Sequence, residues 1–563
     1  MFGRPVIASA LALLAFAPAA HAGSLKAYPS SETITPTGAL PAGGSSSITM
    51  NVAVGETEDA QIVVAGARNV SAAIDGTPLA PLIPRLLFGH YVNFGTKRVP
   101  DALLPWNGDP RPTEAANQPI WVQVGIPDGT AAGAYVSKVE VNADGVVTTV
   151  PITVQVFNVS IPPFTTVSGN LLAAFNISPE SYVNKVSALF GATNAQRIDI
   201  NSSLFRFLAE HRISPNDWGF GEPGAKSVMG YGRSARWWLD TAGNMERQMQ
   251  VSGGFPAMRI PISNNRTAPH NYSGGIDPNK PQTWCDYLKS VHDFWTSHGW
   301  LSSNLAFIYG QDEPGLAGQH LVARQAQAAH SCWPGSKVLL TGNPTANNRF
   351  LWNGGSDDAD IWTVLSRRYY GSYSNPQGRR REHDYLNTIN AVRARGKSIW
   401  SYTYSGTPGS PGYSATEPLA DARLLMLWDS LEHLTGTLYG ENMTAYGPGN
   451  PLQSVSQRGD FVLIYPGAAE PVTSARLEQI RDGIEDWAIY NIVYRKHGLG
   501  AVRAILGGAG LFSASSSGVK LACTQFCDLH SSTKYAWPIW SQDASTPRKI
   551  EAAKLAALKL AAG

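Results

Sequence analysis

The sequence predicts a multidomain fold: an N-terminal antiparallel β-sandwich, then a (β/α)8 barrel of the TIM type, then a small C-terminal extension. Three observations predict it. Apolar residues alternate with period two up to about residue 165. Short apolar strands then recur at spacings of roughly 40 residues between helical stretches. Beyond residue 500 come a Ser/Gly-rich loop and one last amphipathic helix. The expected divisions are a leader at 1–22, a sandwich at 23–165, a catalytic barrel at 166–500 and the extension at 501–563.

The leader rests on Met1-Phe-Gly-Arg4, the apolar run Val6 to Phe16 and the small-residue site Ala20-His21-Ala22. This order of charge, apolar core and small residues reads as a secretory signal cut after Ala22. The run is shorter than the ~20 residues a membrane span needs and breaks at Pro18. No later run is long and apolar enough either, so the mature protein is expected to be secreted or periplasmic, with no membrane span.

Export permits disulfides, and the four cysteines Cys285, Cys332, Cys523 and Cys527 allow three pairings. Cys285–Cys332 and Cys523–Cys527 are the favoured ones. A zinc site is disfavoured because the close pair has no second Cys or His pair beside it.

In the sandwich, Ile48, Met50, Val52 and Val54 alternate with small or polar residues, as do Ile120, Val122 and Val124. Val139 and Val141 lead through Asp144-Gly145 to Val150, Ile152, Val154 and Val156, the pattern of a hairpin whose turn takes positive φ. Pro162-Pro163 closes the domain. The barrel strands are expected at 170–176, 213–219, 257–263, 304–310, 337–343, 360–366, 398–404 and 436–442. After them, Leu477, Ile480, Ile484, Trp487 and Ile492 make a helical stripe. A doubly wound open sheet is the alternative, but no Gly-x-Gly-x-x-Gly follows the first strand. In the extension, Thr546-Pro547 opens a helix bearing Ile550, Leu555 and Leu558.

With 44 Lys+Arg against 42 Asp+Glu, the net charge is +2, and charged residues make up 15% of the 563. That is well under the roughly 25% of an average soluble chain, and it excludes a nucleic-acid partner held by bulk charge. No His-Glu-x-x-His, phosphate-binding loop or Gly-x-Ser-x-Gly elbow is present, so no cofactor, metal or serine nucleophile is expected.

The most informative stretch is Leu305-Ala-Phe-Ile-Tyr-Gly-Gln-Asp312-Glu313-Pro314-Gly315. An apolar strand runs into two adjacent carboxylates and a turn, which places both acids at the C-terminal mouth of the fourth strand, where barrel chemistry sits. Close carboxylates push each other's pKa values apart, so that one can donate a proton while the other stays charged. The competing role is a helix cap before Pro314, which accounts for one acid only. Cα atoms ~3.8 Å apart do not let two side chains straddle a sugar ring. Either the substrate's own 2-acetamido oxygen is the nucleophile, or a distant acid is. The distant candidate is Glu441, at the end of the eighth strand.

Tyr309-Gly-Gln-Asp-Glu-Pro314, Ile399-Trp-Ser-Tyr402, Gly436-Thr-Leu-Tyr439 and Phe461-Val-Leu-Ile-Tyr-Pro-Gly467 are followed by Arg476-Leu-Glu-Gln-Ile-Arg-Asp-Gly-Ile-Glu-Asp486. This combination resembles glycoside hydrolase family 123 over most of the chain. The resemblance implies substrate-assisted, retaining cleavage of β-linked N-acetylgalactosamine, with Asp312 orienting the acetamido group and Glu313 as acid/base. It implies an oligosaccharide, polysaccharide or glycoconjugate as substrate. The chain departs from the family at Gly440-Glu441, where members commonly have tryptophan.

Trp218, Tyr309, Tyr370, Tyr402 and Tyr404 are candidate aromatic platforms for sugar rings, with core packing as the competing role. Arg259, in the third strand, must face the pocket or find a carboxylate. Two other readings stay open: a two-carboxylate glycosidase using Glu313 and Glu441, and a non-catalytic carbohydrate-binding surface protein.

Overall fold

The computed structural model describes residues 24–216, 218, 245–260, 281–302, 304–366, 369, 372–373, 381–383, 385–404, 411–455, 459–512, 534–535 and 543–563. The leader, Tyr370, Cys523 and Cys527 lie outside them.

Two sheets pack face to face at the N-terminal end. One runs in the order Ser24–Pro29, Thr57–Ala65, Asn117–Gly125, Ile83–Phe94, Lys97–Trp106, the other Ile48–Val54, Val146–Ser160, Gly133–Ala143, Asn69–Ile74, Arg111–Pro112. All pairs are antiparallel except Ile48–Val54 with Val146–Ser160. The period-two residues meet between the sheets: Met50, Val52, Ile120, Val122, Val139, Val141, Ile152 and Val154 belong to one core. At the Gly133–Ala143/Val146–Ser160 hairpin, Asp144 and Gly145 take φ of 50° and 91°, as a tight two-residue turn needs. The Asp144 carboxylate also accepts the backbone N–H groups of Arg68 and Asn69 at 2.9 and 2.8 Å, pinning the turn to the next strand.

All eight expected barrel strands form: Leu172–Phe175, Ile213–Pro215, Ala257–Arg259, Leu305–Gln311, Lys337–Thr341, Ile361–Leu365, Ser398–Thr403 and Gly436–Tyr439. They make a parallel, nearly closed barrel in the order second, first, eighth, seventh, sixth, fifth, fourth, third. Side chains bridge the seam between the second and third strands. The Ala257 N–H donates to Ser214 Oγ at 3.4 Å, and the Arg259 guanidinium donates to the Asn216 carbonyl at 3.1 Å. Inside the barrel pack Ala174, Ala257, Phe307, Leu339, Ile361, Trp400 and Leu438, whereas their strand neighbours such as Ile308, Val338 and Trp362 face the helices.

The segment after the eighth strand returns to the N-terminal sheet. Val472–Ser474 pairs with Lys97–Trp106, Ile464–Tyr465 pairs with Val472–Ser474, and Ser454–Val455 pairs with Ile83–Phe94. These strands are two or three residues long, too short to leave a periodic signal. The helix Ala475–His497 then runs between the sandwich and the barrel, buried along nearly all its length. Its apolar stripe is the expected one, but its charged side chains are buried too. Arg476 donates to both oxygens of Asp101 at 2.8 and 2.7 Å and to the carbonyls of Tyr413, Gly459 and Val462. Arg481 meets Asp59 at 2.7 Å as well as Glu478 and Asp482. Arg212 meets Glu485 at 2.9 Å, Arg423 meets Asp486 at 2.7 Å, and Lys554, from the terminal helix Thr546–Ala562, meets Glu56 and Glu58. The Arg-Asp-Gly-Ile-Glu-Asp motif is therefore an ionic seam that holds the sandwich against the barrel.

Cys285 and Cys332 form a disulfide joining the helices Pro281–Ser297 and Leu316–Cys332, with Cα atoms 4.8 Å apart. Among the described residues, no helix is long and apolar enough to cross a membrane.

Candidate active site

The fourth strand sends Phe307 and Tyr309 inward and Ile308 outward, then slips register by one residue at Gly310. A Cβ at Gly310 would stand 3.1 Å from Gln325 Oε1 and 3.3 Å from the Leu339 carbonyl, so a side chain at the bulge would crowd both. Beyond it the chain leaves the barrel through Gln311, Asp312 and Glu313. The following helix opens at Leu316 with Gly315 in the cap position and no side-chain cap, so helix capping is not what these acids do.

Asp312 is half-buried, and its Oδ1 lies 3.1 Å from the Tyr309 hydroxyl and 3.2 Å from the Thr341 hydroxyl. Glu313 is exposed at the mouth and adopts φ of 42°, in the left-handed region that a side chain normally avoids. Its N–H donates to Thr341 Oγ1 at 2.7 Å, and its Oε1 accepts from the Tyr402 hydroxyl of the seventh strand. The pair is thus held from one side by the fifth strand and from across the barrel by the seventh.

Tyr309 is 7% exposed, and burial followed by the charge of Asp312 raises the pKa of its phenol, which stays protonated as a donor. The Arg259 guanidinium lies 5.3 Å from the centre of the Tyr309 ring, so this arginine both stitches the seam and sits on the aromatic that touches Asp312. Trp218 is 2% exposed, packed on Phe205 and Phe255, with its indole N–H donating to the Arg259 carbonyl at 3.1 Å. Its ring faces are in the core and do not line the mouth. Tyr402 is 5% exposed and offers its hydroxyl to Glu313 rather than a ring face to a sugar, while Tyr404, just past the same strand, is half-buried.

Glu441 follows the eighth strand and is half-buried; in the strand order it lies four positions from the fourth strand, on the opposite side of the barrel from Glu313. A Cβ at the neighbouring Gly440 would come within 3.3 Å of Tyr404 Cβ and 3.4 Å of the Thr403 carbonyl, a close fit. Residues that sequence reasoning missed also converge at the mouth. Asn216 donates to the Ala174 carbonyl at 3.0 Å and to Asn176 Oδ1 at 3.2 Å, and Asn176 donates to the Gly440 carbonyl at 3.0 Å, tying the second, first and eighth strands. Their positions at strand ends were the only signal. Among the described residues, no group of three or more His, Cys, Asp or Glu is arranged to hold a metal ion.

A barrel with carboxylates at its C-terminal mouth can house the cleavage of glycosidic bonds, and comparison with known proteins gives the class. The chain is a glycoside hydrolase. Residues 258–493 match the model described as "Glycoside hydrolase 123, catalytic domain", so the resemblance to family 123 holds over the segment carrying Asp312 and Glu313. A family 123 glycoside hydrolase from Clostridium perfringens, described for glycolipid glycan hydrolysis, superposes with a TM-score of 0.64 at 12% identity, covering 96% of this chain and 98% of that one, which establishes a shared fold. A putative α-galactosidase from Bacteroides fragilis aligns at 10% identity over 79% of this chain and 77% of its own, and its TM-score of 0.29 carries no weight. No curated protein matches the chain.

Proposed function

We propose that the protein is an exported glycosidase that cleaves β-linked N-acetylhexosamine, N-acetylgalactosamine in particular, by a substrate-assisted, retaining route. The observation that carries this reading is the fixed adjacency of Asp312 and Glu313, each held by a hydroxyl from another strand. Neighbouring carboxylates cannot flank a sugar ring, but they can serve one face of it together. Glu313 protonates the leaving oxygen. Asp312 steadies the 2-acetamido group while its carbonyl oxygen attacks the anomeric carbon, and Glu313 then takes the proton of the water that opens the bicyclic intermediate. The glycolipid glycan hydrolysis described for the Clostridium perfringens protein makes glycoconjugates the first natural substrates to try.

One observation favours a second reading. Glu441 stands across the barrel from Glu313, as a separate nucleophile would. Aryl β-N-acetylgalactosaminide, aryl β-N-acetylglucosaminide and aryl β-galactoside separate the two. Turnover confined to the acetamido sugars, and lost in Glu313→Gln, supports substrate assistance. Turnover of the plain galactoside moves the nucleophile to Glu441, and saccharide binding without turnover of any glycan leaves a carbohydrate-binding protein.

A further inference from the structure

Thr341 ends the fifth barrel strand, is 2% exposed, and touches both members of the acid pair. Its Oγ1 accepts the Glu313 N–H at 2.7 Å, lies 3.2 Å from Asp312 Oδ1 and 3.3 Å from the Tyr309 hydroxyl. A threonine hydroxyl has one proton and two lone pairs. One lone pair takes the Glu313 N–H, the proton faces Asp312 Oδ1 with the Gln311 carbonyl at 3.4 Å as the other acceptor in reach, and the single proton of Tyr309 is shared between Asp312 and Thr341. The Glu313 N–H bond matters most, because it fixes the peptide between the two acids while Glu313 holds a φ of 42° that nothing in its own side chain favours.

We infer that Thr341 is a positioning residue for the reaction: a single hydroxyl on the neighbouring strand aims both carboxylates. This rests on the reading of Asp312 and Glu313 as the reacting acids. Its consequence is a demand for the hydroxyl rather than for the shape. Valine fills the same volume, but it leaves the Glu313 N–H without its acceptor and releases the left-handed turn. Serine keeps the hydroxyl.

The test compares Thr341→Val, Thr341→Ala and Thr341→Ser with the parent on aryl β-N-acetylgalactosaminides of good (2,4-dinitrophenyl) and poor (4-methoxyphenyl) leaving group, with thermal stability measured alongside. Misplacing an acid by about 1 Å costs on the order of 100-fold in rate. Thr341→Val and Thr341→Ala are expected to lose about 10- to 100-fold in kcat on the poor leaving group, less on the good one, with KM within about threefold. Thr341→Ser is expected to restore kcat to within about threefold of the parent. A folded Thr341→Val with parental kcat, a loss equal on both leaving groups, or a serine variant as poor as valine would overturn the inference. If the parent turns over no glycoside, the reading of the acids fails separately. The crystal structure of Thr341→Val or Thr341→Ala then decides: Glu313 still left-handed and bonded to Tyr402 overturns the positioning role, and Glu313 turned away from both supports it.

Discussion

The hydroxyl of Tyr402 donates to Oε1 of Glu313, joining two residues 89 positions apart across the barrel mouth. Because Tyr402 is buried and Glu313 exposed, the bond fixes the acid from beneath and leaves its outer side open, the side the proposed reaction uses. Removing one partner of such a hydrogen bond costs about 1–3 kcal/mol, or roughly a factor of 5 to 100 if the loss falls on the transition state. Tyr402→Phe should therefore lower kcat by about 5- to 100-fold with KM nearly constant and the melting temperature nearly unchanged. Steady-state kinetics and calorimetry check this, and a loss that appears in KM alone would assign Tyr402 to ground-state binding instead.

Arg481 stands in a different situation. Its side chain is 2% exposed among Asp59, Glu478, Asp482 and Glu485, where the sandwich meets the barrel. Removing one partner from a buried ionic cluster leaves charges without compensation and typically costs about 3–5 kcal/mol. Arg481→Leu should unfold at markedly lower temperature or urea concentration than the parent. Retention of parental stability would mean that the seam is not what joins the two parts.

The same seam predicts how stability changes with pH. Burial pushes Glu56 up to about 8 against the pull of Lys554, and Asp59 up to about 7 against the pull of Arg481. Burial alone would also raise Glu58, but Lys554 and Arg423 draw it down to about 2. An acid whose folded pKa is raised holds a proton that the unfolded chain releases, so its stabilising contribution is present below the unfolded value and fades as pH rises through the folded one. Glu56 and Asp59 thus lose stability for the protein between about pH 4 and pH 8, and Glu58 does so only as pH falls towards 2. The melting temperature should be higher near pH 5 than near pH 8.5, and Glu56→Gln should flatten that slope. A parent protein that is most stable above pH 8 would contradict the protonated state of these acids.

How far the sequence reveals this molecule depends on the range of the interaction. The barrel strands announce themselves because each is a local apolar run ending in a turn, and Asp312 and Glu313 are conspicuous because they interrupt such a run. Thr341 and Asn216 do not announce themselves, since a hydroxyl or amide at a strand end looks the same whether it meets solvent or another strand. Trp218 shows the converse: its setting near a strand end fits a sugar platform as well as a core, and only its packing on Phe205 and Phe255 decides. The helix Ala475–His497 is a third case. Its apolar stripe is legible, but the charges that pair with its buried Arg476, Arg481 and Asp486 come from Asp101, Asp59, Arg423 and Lys554, which lie far away in the chain.

The disulfide gives the last test. Cys285 and Cys332 are separated by 47 positions, and the second of the helices they join packs beside the fourth strand, whose end carries the acid pair. Closing a loop of that length restricts the unfolded chain by about 4 kcal/mol on the loop-entropy account. The Cys285→Ser/Cys332→Ser double variant should therefore melt well below the parent, and reductant should lower the melting temperature of the parent but not of the variant. Activity of the folded variant should persist, because neither sulfur touches Asp312 or Glu313 among the contacts that hold them. Equal melting temperatures with and without reductant would show that the bond adds no stability.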